Sequence, residues 1–142
     1  MEPASHTHPK IDRGLCGTPT LVESGSRACV RLDSDARMVA DEQGLIHGGF
    51  VFGAADYAAM LAVDDPNVVL GAAEVRFLAP VRLGERVELE ARVEAEKGRK
   101  REVAVRAVVR SDEGGGEREV FTGRFTCFVL DHHVLHPPGN QP

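Results

Sequence analysis

The sequence has no tryptophan, one tyrosine and six phenylalanines among 142 residues. So few rings leave the core to Val, Leu and Ala, whose small volumes suit a sheet wrapped closely around one helix. It has only three cysteines, Cys16, Cys29 and Cys127, widely spaced and odd in number. That spacing argues against a disulfide framework and against a zinc motif. His6 and His8 stand in an irregular stretch and make a poor metal site, so no metal is expected. No apolar run approaches the ~20 residues of a membrane span, and no membrane partner is expected. Basic excess is lacking too: 17 Lys and Arg stand against 22 Asp and Glu, a net charge of −5. Nucleic-acid binders present a basic face, so no nucleic-acid partner is expected.

What is present suits one domain, and a chain of this length buries about 68% of its unfolded surface. Residues 1–17 mix Pro, Ser, His and Gly without periodicity and read as a mobile arm. Residues 18–131 read as the domain and 132–142 as a fraying tail. The polar, proline-containing opening Met1 to Lys10 does not resemble a signal peptide, so a cytoplasmic location is expected.

The stretch His47 to Val63 is the one long segment that reads as a helix. Small residues at 53, 54, 55, 58, 59 and 62, and apolar content on every side, predict that it is buried. Asp64-Asp65-Pro66-Asn67 stops it. Ahead of it, Thr20 to Leu32 reads as a strand interrupted at Ser24-Gly25-Ser26. Asp33 to Asp41 reads as a connection in which Met38 and Val39 pack inward. After it come four strand candidates: Val68 to Leu78, Arg86 to Ala95, Glu102 to Arg110 and Val120 to Leu130. In the second, Val87, Leu89, Ala91, Val93 and Ala95 alternate with charged residues, so one sheet face is covered and the other wet. Lys97-Gly98 marks a tight hairpin and 111–117 a longer glycine-rich loop. The class is α+β: a curled antiparallel sheet of about five to six strands around one central helix.

Two adjacent glycines, Gly48 and Gly49, open the helix, so its backbone there can lie close to a ligand. The first N–H groups of a helix lack internal partners and sit at the positive end of its dipole. Such a start can hold an oxyanion or a polarised carbonyl. Asp56 follows about 20° off the line of Gly49, two turns along the same face. Its bland reading is a half-buried acid bonded to backbone or to an Arg. Its chemical reading is a base or nucleophile beside an oxyanion donor.

His47-Gly48-Gly49 with Asp56 resembles the signature of hotdog-fold acyl-CoA thioesterases of the phenylacetate-pathway type. The following Phe77-Leu78-Ala79-Pro80-Val81-Arg82-Leu83-Gly84-Glu85 is similar to a segment of the same family. The resemblance spans about Val39 to Leu130 and implies a hotdog fold. It also implies a homodimer with two sites at the subunit interface, with a dimer of dimers as a further arrangement. The substrate it implies is an acyl-CoA, with no cofactor, because coenzyme A is part of the substrate. In this family the Gly48 N–H would polarise the thioester carbonyl, and Asp56 of the other subunit would attack it or activate water. Many relatives carry Asn six residues ahead of the His, where this chain has Asp41. A second carboxylate near the thioester would repel Asp56 or raise its pKa. Gln43 is the substitute donor.

His47 has no acidic partner in sequence and takes a supporting role, holding the loop or contacting substrate. Phe52 and Tyr57 are expected in the core or the acyl-pocket wall. Arg99, Lys100 and Arg101 cluster with Lys97 at a hairpin turn. They are either a solvated turn or a contact for the phosphates of coenzyme A. Cys127, between Phe125 and Phe128, is expected to be an inert core thiol. Two functions of different class follow: acyl-CoA hydrolysis, or a non-catalytic acyl-CoA binding or sensing module on the same scaffold. A hotdog dehydratase ranks behind both, because it needs a differently placed His and acid.

Overall fold

The computed structural model describes residues 2–111 and 115–136. Part of the expected 111–117 loop and residues 137–142 of the expected tail lie outside the described residues. Helix α1 (Arg13–Cys16) is followed by β1 (Thr18–Glu23) and β2 (Arg27–Asp33). A 3₁₀ turn (Ala36–Met38) leads to the long helix α2 (Gly48–Val63). Strands β3 (Val68–Phe77), β4 (Arg86–Lys97), β5 (Lys100–Arg110) and β6 (Glu117–Val129) complete the chain. The six strands form one antiparallel sheet in the order β1-β2-β4-β5-β6-β3. This is the hotdog arrangement expected from the sequence.

Helix α2 begins where the His47 imidazole Nδ1 accepts the Gly49 N–H at 2.9 Å, a side-chain cap for an orphan donor. It ends at Asp64, whose φ of 54° turns the chain left-handed. Ala54, Ala55, Ala58, Ala59 and Ala62 are fully buried. With methyl groups alone on those faces, the sheet backbone closes to short range on every side. The gaps are filled from the sheet by Leu32, Leu89, Val103, Phe121 and Phe125. On the outer face, Arg86 pairs with Asp33 at 2.6 Å, Arg110 with Glu88 at 2.6 Å and Arg118 with Glu85 at 2.8 Å. Exposed pairs of this kind add little stability each, at most about 1 kcal/mol.

Two expectations change. The segment Thr20 to Leu32 is not one interrupted strand but the hairpin β1–β2, because Gly25 (φ 78°) and the Ser26 N–H to Glu23 carbonyl bond make a tight turn. The stretch expected as a mobile arm is packed on the rest of the domain. Asp12 caps α1 by accepting the Gly14 and Leu15 N–H groups, and Ile11, Leu15 and Cys16 pack against the core. Thr7 is buried. The Asp64 carboxylate, itself buried, accepts the His6 backbone N–H at 2.7 Å and meets His6 Nδ1 at 2.8 Å. The arm lacks periodicity because side-chain caps and single anchors hold it, not a repeating face. Of the expected tail, residues 132–136 form a turn closed by the His136 N–H on the His133 carbonyl. Among the described residues, no helix is long and apolar enough to cross a membrane.

The Asp64 anchor predicts that Asp64→Ala lowers the unfolding free energy by about 2 kcal/mol, through lost charge-assisted bonds and a left-handed residue without a polar side chain. Denaturant midpoints check this. Adding His6→Ala to the Asp64→Ala variant is expected to change little, because both substitutions delete the same contact.

Candidate active site

The start of α2 is held from two sides. Its approach, Leu45 to His47, lies between residues 38–40 and 81–83. The bonds are Ala40 N–H to Leu45 carbonyl (2.7 Å), His47 N–H to Met38 carbonyl (2.9 Å) and Ile46 N–H to Val81 carbonyl (2.9 Å). In the first turn, His47 Nδ1 takes the Gly49 N–H and the His47 carbonyl takes the Phe50 N–H at 3.1 Å. Neither cap takes the Gly48 N–H, one of the helix-start donors without an internal partner. A Cβ on Gly48 would stand 3.0 Å from the Phe77 ring, and one on Gly49 would stand 2.8 Å from His47 Nδ1. Gly49 is therefore required by close approach, whereas a Cβ on Gly48 meets only the exposed Phe77 ring, which has to give by a few tenths of an ångström. Because Nδ1 is an acceptor here, His47 carries its ring proton on Nε2, and it serves as the helix cap.

Asp56 lies in the middle of α2. Its Oδ1 is buried and has no hydrogen-bond partner. Burial pushes its carboxyl up to about 6 from an ordinary 3.8. Asp41, expected to raise it, plays no part within the protomer. The Asp41 carboxylate is turned to its own loop, accepting the Gln43 N–H at 2.9 Å and the Leu45 N–H at 3.1 Å. Gln43 is exposed on that loop. Along the helix axis, Asp56 is eight residues and about 12 Å beyond Gly48. One carbonyl cannot meet both groups of the same protomer.

Phe52 is half-buried and packs on Phe125, with ring centres 5.6 Å apart. Tyr57 is buried and faces the N-terminal segment, 6.2 Å from the His8 ring, with its hydroxyl beside the Arg13 guanidinium. Neither lines the cleft beside Gly48 described next. Arg99, Lys100 and Arg101 sit at the opposite end of the sheet. Lys100 pairs in register with Phe128, next to Val69 at the start of β3, whereas Gly48 touches Phe77 at its end. The length of α2, about 24 Å, separates them within one protomer. Arg99 is ion-paired with Asp131, Lys100 with Glu102 at 3.2 Å and Arg101 with Glu96 at 3.2 Å. Burial pushes the Cys127 thiol up to about 12, so it stays protonated, as expected of an inert core thiol. Among the described residues, no three His, Cys, Asp or Glu side chains form a metal-binding group.

A cleft of about 370 Å³ opens beside Gly48, walled in part by Leu45, Ile46, Val51, Phe77, Ala79 and Val120. The sequence marks 77–85 only as a family segment. Its apolar run ahead of Pro80, at a strand end where polar residues are usual, was the available signal for the cleft. A larger groove of about 870 Å³ lies on the outer sheet face among the ion pairs of Arg86, Arg110 and Arg118, and no residue of α2 lines it.

The model of the thioesterase superfamily matches residues 43–115, which take in α2 and β3 to β5. The chain is 47% identical over 126 residues to a protein of Aquifex aeolicus (strain VF5) named methylthioribose-1-phosphate isomerase. That match covers 88% of this chain and 26% of the relative. It is 27% identical over 114 residues to the transcription factor FapR of Caldanaerobacter subterraneus subsp. tengcongensis, covering 80% of this chain and 54% of the relative. The chain thus spans between about a quarter and little more than half of these curated relatives' lengths. Among solved structures, an uncharacterized protein from Pyrococcus horikoshii superposes with a TM-score of 0.82 at 44% identity, over 95% of this chain and 98% of that one. A variant of the phenylacetic acid degradation protein PaaI from Thermus thermophilus superposes with a TM-score of 0.69 at 28% identity, over 82% of this chain and 95% of that one. With its fold, its helix-start signature and the family match in agreement, the chain belongs to the thioesterase superfamily, as a hotdog-fold member of the PaaI-like kind.

Proposed function

We propose that this chain hydrolyses an acyl-CoA thioester to the free acid and coenzyme A. The observation that carries the reading is Asp56: a half-buried carboxylate whose Oδ1 is buried and unpartnered, on the helix whose first N–H is free of the caps. An uncompensated buried acid destabilises a fold, and such groups cluster where chemistry needs them. The thioester carbonyl accepts the Gly48 N–H, which strengthens its hold as negative charge develops on that oxygen. Asp56 acts as general base toward water, or attacks the carbonyl itself. In the first route water's oxygen bonds to the acyl carbon, Asp56 takes the proton, the C–S bond breaks and the proton passes to the leaving thiolate. In the second, an Asp56 oxygen bonds to the acyl carbon as the C–S bond breaks and coenzyme A leaves as thiolate. Water then hydrolyses the acyl-aspartate anhydride to the free acid and the Asp56 carboxyl, whose proton passes to the thiolate.

The 12 Å offset along α2 supports a site shared between two copies, Gly48 from one and Asp56 from the other. A homodimer with two such sites follows. His47 supports by capping the helix and fixing Gly49. Asp41 and Gln43 shape the loop ahead of it, and Phe52 backs the Asp56 face. Arg99, Lys100 and Arg101, distant within one protomer, would meet the coenzyme A phosphates only from the partner's side. No further cofactor is required.

A second reading is a non-catalytic acyl-CoA sensing module, favoured by the relatives named as the transcription factor FapR. A thiol-release assay over a panel of acyl-CoAs separates the two. Hydrolysis by the wild type supports the enzyme, whereas binding without thiol release supports the sensor.

Asp56→Ala is expected to lower kcat at least ~100-fold. If Asp56 must be ionised to act, the wild-type rate rises with pH through about 6. Stability runs the other way. The folded value lies above the ordinary 3.8, so the penalty of the buried charge is absent below 3.8 and complete above about 6. Asp56→Asn is therefore expected to raise Tm well above pH 6 and to leave it unchanged near the ordinary carboxylate pKa.

Gly48→Pro removes the donor while keeping a favoured first helical residue, and His47 already has the extended backbone that precedes proline (φ −64°, ψ 130°). We expect a loss of about 10²–10³-fold in kcat with the fold retained. Mixing the Gly48→Pro and Asp56→Ala chains after joint refolding is expected to restore about a quarter of wild-type activity. Each mixed dimer then holds one intact site, as two-fold symmetry requires. No recovery would place both groups in one protomer's site.

A further inference from the structure

The hydrolase reading leaves the acyl group open, and the cleft beside Gly48 bears on it. None of its lining side chains is charged or carries a hydrogen-bonding group. Its deep walls are rigid, because Ile46, Val51, Val81 and Val120 are at most 4% exposed. Its lip is Phe77, which is 56% exposed. The Phe77 ring covers Gly48 on one side and stands edge-on to Phe121, with centres 5.3 Å apart, on the other. An acyl chain whose carbonyl is held at Gly48 therefore has a preformed apolar hollow immediately beside it.

We propose that this cleft takes the acyl chain itself and selects aliphatic hydrocarbon acyl groups without polar substituents, with Phe77 limiting the length accepted. The proposal rests on the thioester reading and goes beyond it by naming the substrate class. The commitment to aliphatic chains follows from walls in which six of the ten lining residues are Leu, Ile or Val and only Phe77 is aromatic. The discrimination against polar chains follows from a lining whose side chains offer a hydroxyl no partner, the one free backbone donor, Gly48 N–H, being taken by the thioester carbonyl. Leaving such a group unpaired lowers binding about tenfold or more. Each methylene that enters the cleft raises kcat/KM about fourfold, until the chain outgrows it.

The test is a series of straight-chain acyl-CoAs from acetyl to hexadecanoyl, with ω-hydroxyacyl esters of matched length and a phenylacetyl ester. Hydrolysis and calorimetric binding are both measured. The proposal expects a rising series with a break, at least tenfold discrimination against the hydroxylated esters, and straight chains ahead of phenylacetyl. Phe77→Ala should move the break to longer chains, and Ala79→Leu, which fills the cleft, should move it to shorter ones. A flat series in both measurements overturns the proposal while leaving the hydrolase reading intact if thiol is released. A rising series in binding without any thiol release supports the cleft and overturns the hydrolase reading. Preference for the phenylacetyl or hydroxylated esters overturns the assigned class. Light scattering accompanies both variants. If either changes the subunit number and not the chain-length break, a second copy occupies the cleft and the proposal fails.

Discussion

The close approach of the sheet to α2 is the constraint on which the rest of the domain depends. Five fully buried alanines on the helix let six strands curl around it without a gap. Larger residues there would hold the sheet off and leave its Val and Leu side chains without partners. The same closeness removes water from the middle of the helix, which is why a single carboxylate at Asp56 is driven to so high a pKa by burial alone. Packing and chemistry thus have one cause.

The helix start is ordered by a different means. It depends on backbone ladders to residues 38–40 and 81–83 and on the His47 cap, not on apolar burial. Gly49 is needed there because the His47 ring already occupies the space of its missing side chain, and Gly48 lets the Phe77 ring lie close. A rigid, crowded helix start beside an apolar cleft is suited to hold a small polar group with an apolar tail. The carboxylate half of the chemistry lies about 12 Å further along, which ties activity to assembly.

Much of the fold was legible in the sequence because β4 and the first part of β5 alternate and α2 is apolar all round. Those patterns follow from periods that packing imposes directly. The N-terminal segment was not legible. Its order comes from single anchors such as His6 on Asp64 and Thr7 in a buried niche, and a single anchor leaves no period. Asp41 is a similar case. By residue type it suggested a charge acting on Asp56, whereas its carboxylate is used by the N–H groups of Gln43 and Leu45.

By itself the sequence determined the order of strands and helix, the position of the glycine pair and the lone acid two turns beyond it. Local spacing carries these, since helical and strand periods are set within a few residues. The tertiary structure decided which groups share a neighbourhood. It placed Phe77 against Gly48, left the Asp56 oxygen without a partner, and sent Arg99, Lys100 and Arg101 to the far end of the helix. Contacts between residues dozens of positions apart depend on how the sheet curls, and no local pattern in the chain encodes that curl.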